Sequence, residues 1–434
     1  MNQLSFSDAR HLTVRTGLGE EWQIIKKRQG RSRAEIINVL IRTKSDWSHP
    51  IPRLTSWKEW SDLVQKGGES QLRATKLLRK DKQALQEWWL GTMLKTQNPI
   101  IERMVMFWHN HFTSSLDKVN QPALILKQNK LFRHLALGNF KVLLREVAHD
   151  PAMMIYLDCN ESGKGEANEN FARELLELYT LGEGSYTEQD VKAAAKAFTG
   201  WSVDRNKQIF SFKHSKHDYS PITFLGHTGN LTGDDIIRIV LKRPETAVNI
   251  AKKFWKEFIN DKAPDMPTIH AWAGRFRGSN YEISALLKAV LNSEAFWTAK
   301  NRGAKVKSPV ELIVGTLRAL PIQVPIPEGS TAMKRLTDFC HSLGQKLFVP
   351  PDPAGWPGGD HWINTDTLSS RKNMLVNFTH INSNNTLYSI PRVSVKELSQ
   401  WLLANKPTRP LPKESASNRE KVHTLLLDPS YQLT

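Results

Sequence analysis

The densest cluster of chemistry-bearing side chains is Phe107-Trp-His-Asn-His-Phe112, with two imidazoles two residues apart. Imidazole is a common ligand for divalent metals and a proton carrier near neutral pH. On an α-helix the two rings would lie about 200° apart, on nearly opposite faces. On an extended segment they would point the same way. If His109 and His111 hold one metal, the helix must therefore end by about Trp108. Otherwise they are two unrelated histidines, one in the core and one near a helix C-terminus, where imidazolium is favoured. Asn110 between them is a candidate substrate-binding amide.

A second cluster spans Asn168 to Gly182. At about 100° per residue, Asn170, Arg173, Glu174 and Glu177 fall on one narrow polar stripe, and Phe171, Ala172, Leu175, Leu176, Leu178 and Tyr179 fill the other side. As a site, the stripe would offer Glu169 as a metal ligand and Glu174 and Glu177 as catalytic carboxylates. Asn170 and Arg173 would hold an anionic or polar substrate group. A Glu174 paired with Arg173 would stay ionised. The plain alternative is a solvated amphipathic helix. His217-Asp218 adds two more potential metal ligands, or is only a polar loop. The segment from Pro350 to Asn364 carries Trp356, Trp362 and Asn364 on a Gly/Pro frame. It forms either a stacking wall for a sugar or peptide, or a rigid loop whose tryptophans plug the core. Trp201 is a further candidate substrate contact. Together, His109, His111, Glu169, His217 and Asp218 supply enough ligands for one divalent metal, whose bound water would act as nucleophile.

Most of the elements that must position these groups are helices. Apolar residues recur at helical spacing over 34–42, 72–94, 131–148, 236–242, 246–259, 283–291 and 309–320. Pro99 suits the first turn of a helix running toward Phe107. Thr187 with Asp190 resembles a capping box opening a helix over 188–199. Strand signals are few, with one expected around 208–213. The Gly/Pro cluster at 350–359 predicts a loop, and 406–420 reads as a surface linker. The expected architecture is mainly α: a basic helical region over 1–95 and a main helical domain over 96–434, or a single domain throughout.

The 434 residues are 40% hydrophobic and 24% charged, a globular composition that excludes wholesale disorder. Two cysteines exclude a disulfide framework and a cysteine-ligated zinc site. No apolar run approaches the roughly 18 residues of a membrane helix, and Met1 to Gly17 lacks the apolar stretch of a secretory signal. A cytoplasmic location is expected on that ground, with export to the periplasm on a partner as the alternative. The formal net charge is +17. It suits nucleic acid, an acidic polymer or a membrane surface, or serves solubility alone. Residues 146–190 nevertheless hold 11 acidic side chains against two basic ones, an acidic island that marks a possible cation site. Nucleotide-binding glycine loops, serine-hydrolase elbows and His-Glu-x-x-His helices are missing.

Phe107 to Phe112 resembles the opening of the signature of the bacterial domain-of-unknown-function 1800 family. Arg133-His-Leu-Ala-Leu-Gly-Asn-Phe140 and Asp150-Pro-Ala-Met153 look like its next blocks. Asn168-Glu-Asn-Phe-Ala-Arg-Glu-Leu175, with Leu181-Gly182, Tyr186-Thr-Glu188 and Thr199-Gly-Trp201, is the most specific stretch. The likeness continues through His217-Asp218, Lys307-Ser-Pro-Val310, Gly344-Gln345 and the 350–362 loop to Asp428-Pro-Ser-Tyr-Gln432. It covers nearly the whole chain. The resemblance implies a predominantly helical protein and assigns no activity or residue role. Many family members carry an export signal, from which this chain departs. Family genes often neighbour a gene for a sulfatase-like protein, which implies a protein partner.

The functional expectation is a metal-dependent enzyme, hydrolytic or oxidative, acting on a polar or acidic cell-envelope polymer, glycan or peptide. One alternative is a non-catalytic binding or assembly protein working with the sulfatase-like partner. Another is nucleic-acid binding through the basic N-terminal region.

Overall fold

The computed structural model describes residues 3–45, 49–320, 326–380 and 390–434. Among these, 22 α-helices and two small two-stranded antiparallel sheets form the architecture, so the mainly α expectation holds. The helices begin where their sequences say they should. Ser5, Thr187, Ser308 and Ser394 each build a capping box with the acidic residue three positions on, satisfying amide donors that the first turn leaves unpaired. Pro99, Pro122, Pro151, Pro244 and Pro309 open helices, where their missing N–H costs nothing.

The apolar pattern over 131–148 is not one helix. It is the end of Pro122–His134 and the whole of Phe140–Ala148, separated at Asn139, whose side chain accepts from the amides of Lys141 and Val142. A cap residue inside a periodic run overrode the periodicity. The expected strand at 208–213 is present as Ile209–Phe212, paired with Trp201–Asp204 so that Trp201 lies opposite Phe212. The second hairpin pairs Ile222–Phe224 with His227–Gly229.

One continuous body of buried apolar side chains reaches from Leu4 to Tyr431. Its centre is the Pro99–His111 helix, whose residues are almost all buried. This helix packs against Gly68–Lys95 and Pro122–His134. A buried ion pair crosses that junction: Arg133 donates to both oxygens of Glu102, at 2.6 and 2.8 Å, and to Asn129 Oδ1. Trp89 Nε1 donates to the same carboxylate. A second buried chain runs from the Ser114 hydroxyl to Gln128 and on to Asp150, which also caps the Pro151–Tyr156 helix through Met153 N. No helix among the described residues is long and apolar enough to cross a membrane.

Candidate functional site

The helix carrying the paired histidines runs on to His111, past the point at which a shared metal would need it to stop. The two rings accordingly diverge. His109 is 1% exposed and sits among Trp89, Phe132, Phe348 and Trp356. Its Nε2 has no hydrogen-bond partner among the described residues, and burial pushes its pKa down to about 3. His111 turns the other way, against Phe107, Phe112 and Tyr179. Burial, with the nearby Lys253 cation, holds its pKa well below the ordinary imidazole value. Burial disfavours the charged form of both rings.

Asn110 fixes the loop that follows Pro350. Its Oδ1 accepts from Trp356 N at 2.6 Å, and its Nδ2 points back to Trp356 O at 3.5 Å. Gly355 makes this approach possible. Its φ is +87°, and a Cβ there would sit 2.3 Å from Asn110 Oδ1. Trp356 and Trp362 are 4% and 6% exposed, so they are not an open stacking platform. They are buried at the cleft, with Trp356 beside the His109 ring. Asn364 accepts from Thr367 N at the start of the Thr365–His380 helix. Trp201 is likewise core, packed on His149, Phe171, Phe198 and Phe210.

The signature stretch at 170–179 is not a regular helix. Asn170–Glu174 is α-helical and Leu175–Tyr179 is a π turn. The Thr180 hydroxyl donates to Leu175 O at 2.5 Å and closes it. A 100° wheel therefore misplaces everything after Glu174. Arg173 is not aimed at a ligand: it forms a two-pronged pair with Glu188, at 2.7 and 2.8 Å, and reaches Glu169 at 3.1 Å. Nor does it form an ion pair with Glu174. The Glu174 carboxyl is half-buried, and its pKa is raised by burial and by the charges of Glu177 and Asp352, with only partial relief from Arg173. Glu177 accepts from the Tyr186 hydroxyl at 2.9 Å. Asn170 is exposed, its amide 3.4 Å from Asp158 Oδ2.

His217 and Asp218 lie apart from these groups. His217 is buried, its Nδ1 donating to Thr199 O at 2.8 Å, with Phe212 and Tyr219 against its ring. Asp218 accepts from Ser220 N and faces Lys196. The expected five-ligand set is not assembled: among the described residues, no group of three or more His, Cys, Asp or Glu side chains is placed to hold a metal ion.

Two of the clusters do meet at a cleft of about 550 Å³ between the Pro99–His111 helix, the Pro244–Phe258 helix and the 351–362 loop. Asn110 and His111 line it from one side, and Asp352, Trp356 and Trp362 from another. Asp352 connects it to the 168–182 cluster, because its charge is felt by Glu174 and by Tyr156, whose pKa is pushed up to about 12 by burial first and these carboxylates second. The floor is a charge network. Arg103 bridges Glu257 and Glu311, at 2.7 and 2.5 Å. Lys305 pairs with Asp261 at 3.2 Å, and Lys256 donates to Pro357 O at 2.9 Å. Lys253 also faces the cleft. Burial first, and the neighbouring Lys256 second, lower its pKa to about 8.

The reading of the sequence missed Lys253 and Asp352. Lys253 is one of several lysines on an amphipathic helix, and Asp352 lies within the 350–364 segment, where the tryptophans and Asn364 draw the attention. Only the folded chain distinguishes them.

No curated protein and no solved structure matches the chain. A family model does match, that of a protein of unknown function (DUF1800), over residues 11–433. With nearly the whole chain covered, this protein belongs to the DUF1800 family.

Proposed function

We propose that this protein is a hydrolytic enzyme acting on a polar or acidic ligand, a cell-envelope polymer segment, glycan or peptide, held in the cleft beneath the 351–362 loop. The observation that carries the reading is the pair Glu174 and Asp352. One carboxyl is half-buried with a raised pKa, and the other is exposed on the wall of the cleft. Two acids in contrasting environments are what general acid and general base require. Glu174 would protonate the leaving group and Asp352 would activate water. Asn110 and His111 would help shape the pocket.

The metal-dependent form of this reading, with a divalent ion on His109, His111, Glu169, His217 and Asp218, needs those side chains to converge, and their placement does not support it. The acid–base form uses Asp352 on the cleft wall and Glu174, whose carboxyl feels the Asp352 charge. A non-catalytic assembly role with a sulfatase-like partner is a second reading. It is favoured by the buried Glu102–Arg133 and Gln128–Asp150 networks, which give several signature residues a scaffold task.

The test is release of soluble fragments from a purified bacterial envelope fraction, read by mass spectrometry. Wild type should release fragments, and Glu174→Gln should slow release about 100-fold or more at unchanged melting temperature. Equal release by both proteins, or none by wild type, would refute the assignment. Elemental analysis of untagged wild type beside His109→Ala/His111→Ala tests the metal form: metal lost from a folded variant would establish it.

A further inference from the structure

A second cleft, of about 640 Å³, opens beside the first. It is lined by Glu177, Gly182, Ser185, Asn249, Lys252 and His270 among others. Lys253 is common to the walls of both. The reason lies in the Pro244–Phe258 helix. Asn249, Lys252, Lys253 and Lys256 are spaced i, i+3, i+4 and i+7, so they share one face and form a polar stripe about 10 Å long. The stripe begins in the second cleft and ends in the first. Each cleft alone is the size of a small-molecule pocket; together they exceed the usual range of about 300–1,000 Å³.

The other cations of the first cleft are engaged with the protein itself, as described above. Lys253 makes no hydrogen bond or ion pair among the described residues, and Lys252 beside it is exposed and equally unengaged. We infer that the two clefts form one trough for an extended acidic sugar chain, laid along the 249–256 stripe with a carboxylate seated on Lys253. This rests on the proposed use of the first cleft and names the ligand class it takes. A sugar fits better than a peptide for a structural reason. One common grip on an extended peptide is main-chain hydrogen bonding to a free strand edge, and neither described hairpin contributes a residue to the walls of either cleft. The walls also carry carboxylates, Glu177, Glu183 and Glu245 in the second cleft and Asp352 in the first, so the acidic groups of the sugar must seat on the lysine stripe while its hydroxyls meet the carboxylate, amide and imidazole side chains.

The experiment is calorimetric titration of the full chain with galacturonate, tetragalacturonate and tetraglutamate at low salt. The tetrasaccharide should bind at least 10-fold more tightly than the monomer. Lys253→Gln should remove most of that gain, and Lys253→Arg should keep it, with melting curves showing both variants folded. Equal affinity for monomer and tetramer would overturn the trough while leaving the first cleft as a binding site. Tighter binding of tetraglutamate would overturn the sugar assignment. No binding of the tetrasaccharide would overturn the inference outright, while fragment release that depends on Glu174 would still uphold the underlying reading.

Discussion

Removing Arg133 should damage this protein more than removing Arg133 and Glu102 together. The guanidinium and the carboxylate are 1% and 2% exposed, and their two-pronged pair is closed off from water by the Trp88 and Trp89 side chains. In Arg133→Met, Glu102 keeps one donor, Trp89 Nε1, for a buried negative charge. Breaking a buried pair from one side costs about 3–5 kcal/mol. In Glu102→Leu/Arg133→Met no charge is left behind. Replacing a buried pair by apolar side chains of similar volume is often neutral or better, less about 1 kcal/mol each for the orphaned indole N–H and for Asn129 Oδ1, which Arg133 also serves. The double variant should therefore recover most of the loss. The assay is urea unfolding followed by tryptophan fluorescence and by circular dichroism, with the midpoints of wild type, both single variants and the double variant compared. If the double variant is as unstable as the sum of the singles, the pair is not a self-contained scaffold unit, and the argument that this part of the family signature is structural fails.

Acid should destabilise the fold through its neutral histidines. His109 has a pKa near 3 when folded and an ordinary value near 6.5 when unfolded, so its contribution is present above about pH 6.5 and is lost as pH falls toward 3. Each pH unit in that window costs about 1.4 kcal/mol, and His109→Phe should flatten the slope between pH 6.5 and 5 in denaturant midpoints. Gly355→Ala combines left-handed backbone strain with a clash on Asn110, and should cost about 2–3 kcal/mol and free the 351–362 loop, read as faster proteolysis there. Asp428→Ala removes an acceptor for the amides of Thr408, Arg409 and Ser430. It should lower the unfolding midpoint by an amount equivalent to about 2–4 kcal/mol, and a change under 0.5 would contradict the hydrogen bonding described.

The fold was legible because capping residues and apolar periodicity agree along most of this chain. Thr187 with Asp190, Pro99 and the Ile209–Phe212 strand all stand where local chemistry puts them. The break at Asn139 shows the limit: a single side-chain cap outweighed an unbroken periodic pattern. The site was legible only in part. Asn110, His111 and the 350–362 loop were visible as unusual residues, and they do meet. What spacing cannot convey is which way a helix end rotates and what has already claimed a side chain. Arg173 looked available and is taken by Glu188. His109 looked like a ligand and is walled in by aromatic rings. Lys253 looked ordinary, and its interest comes from neighbours far away in sequence.

The π turn at 175–179 makes this region sensitive to chain length rather than to composition alone. Deleting one residue there would let the segment relax into a continuous α-helix, with better local hydrogen bonding than the native turn. Five residues of the π turn subtend about the arc that four subtend in an α-helix, so the register beyond it would survive. The wide turn that sets Tyr179 against the His111 ring and the Thr180 carbonyl on Asn249 would be lost. An alignment would score such a change as one gap. In the folded chain it would alter the contacts that tie the signature helix to both clefts at once.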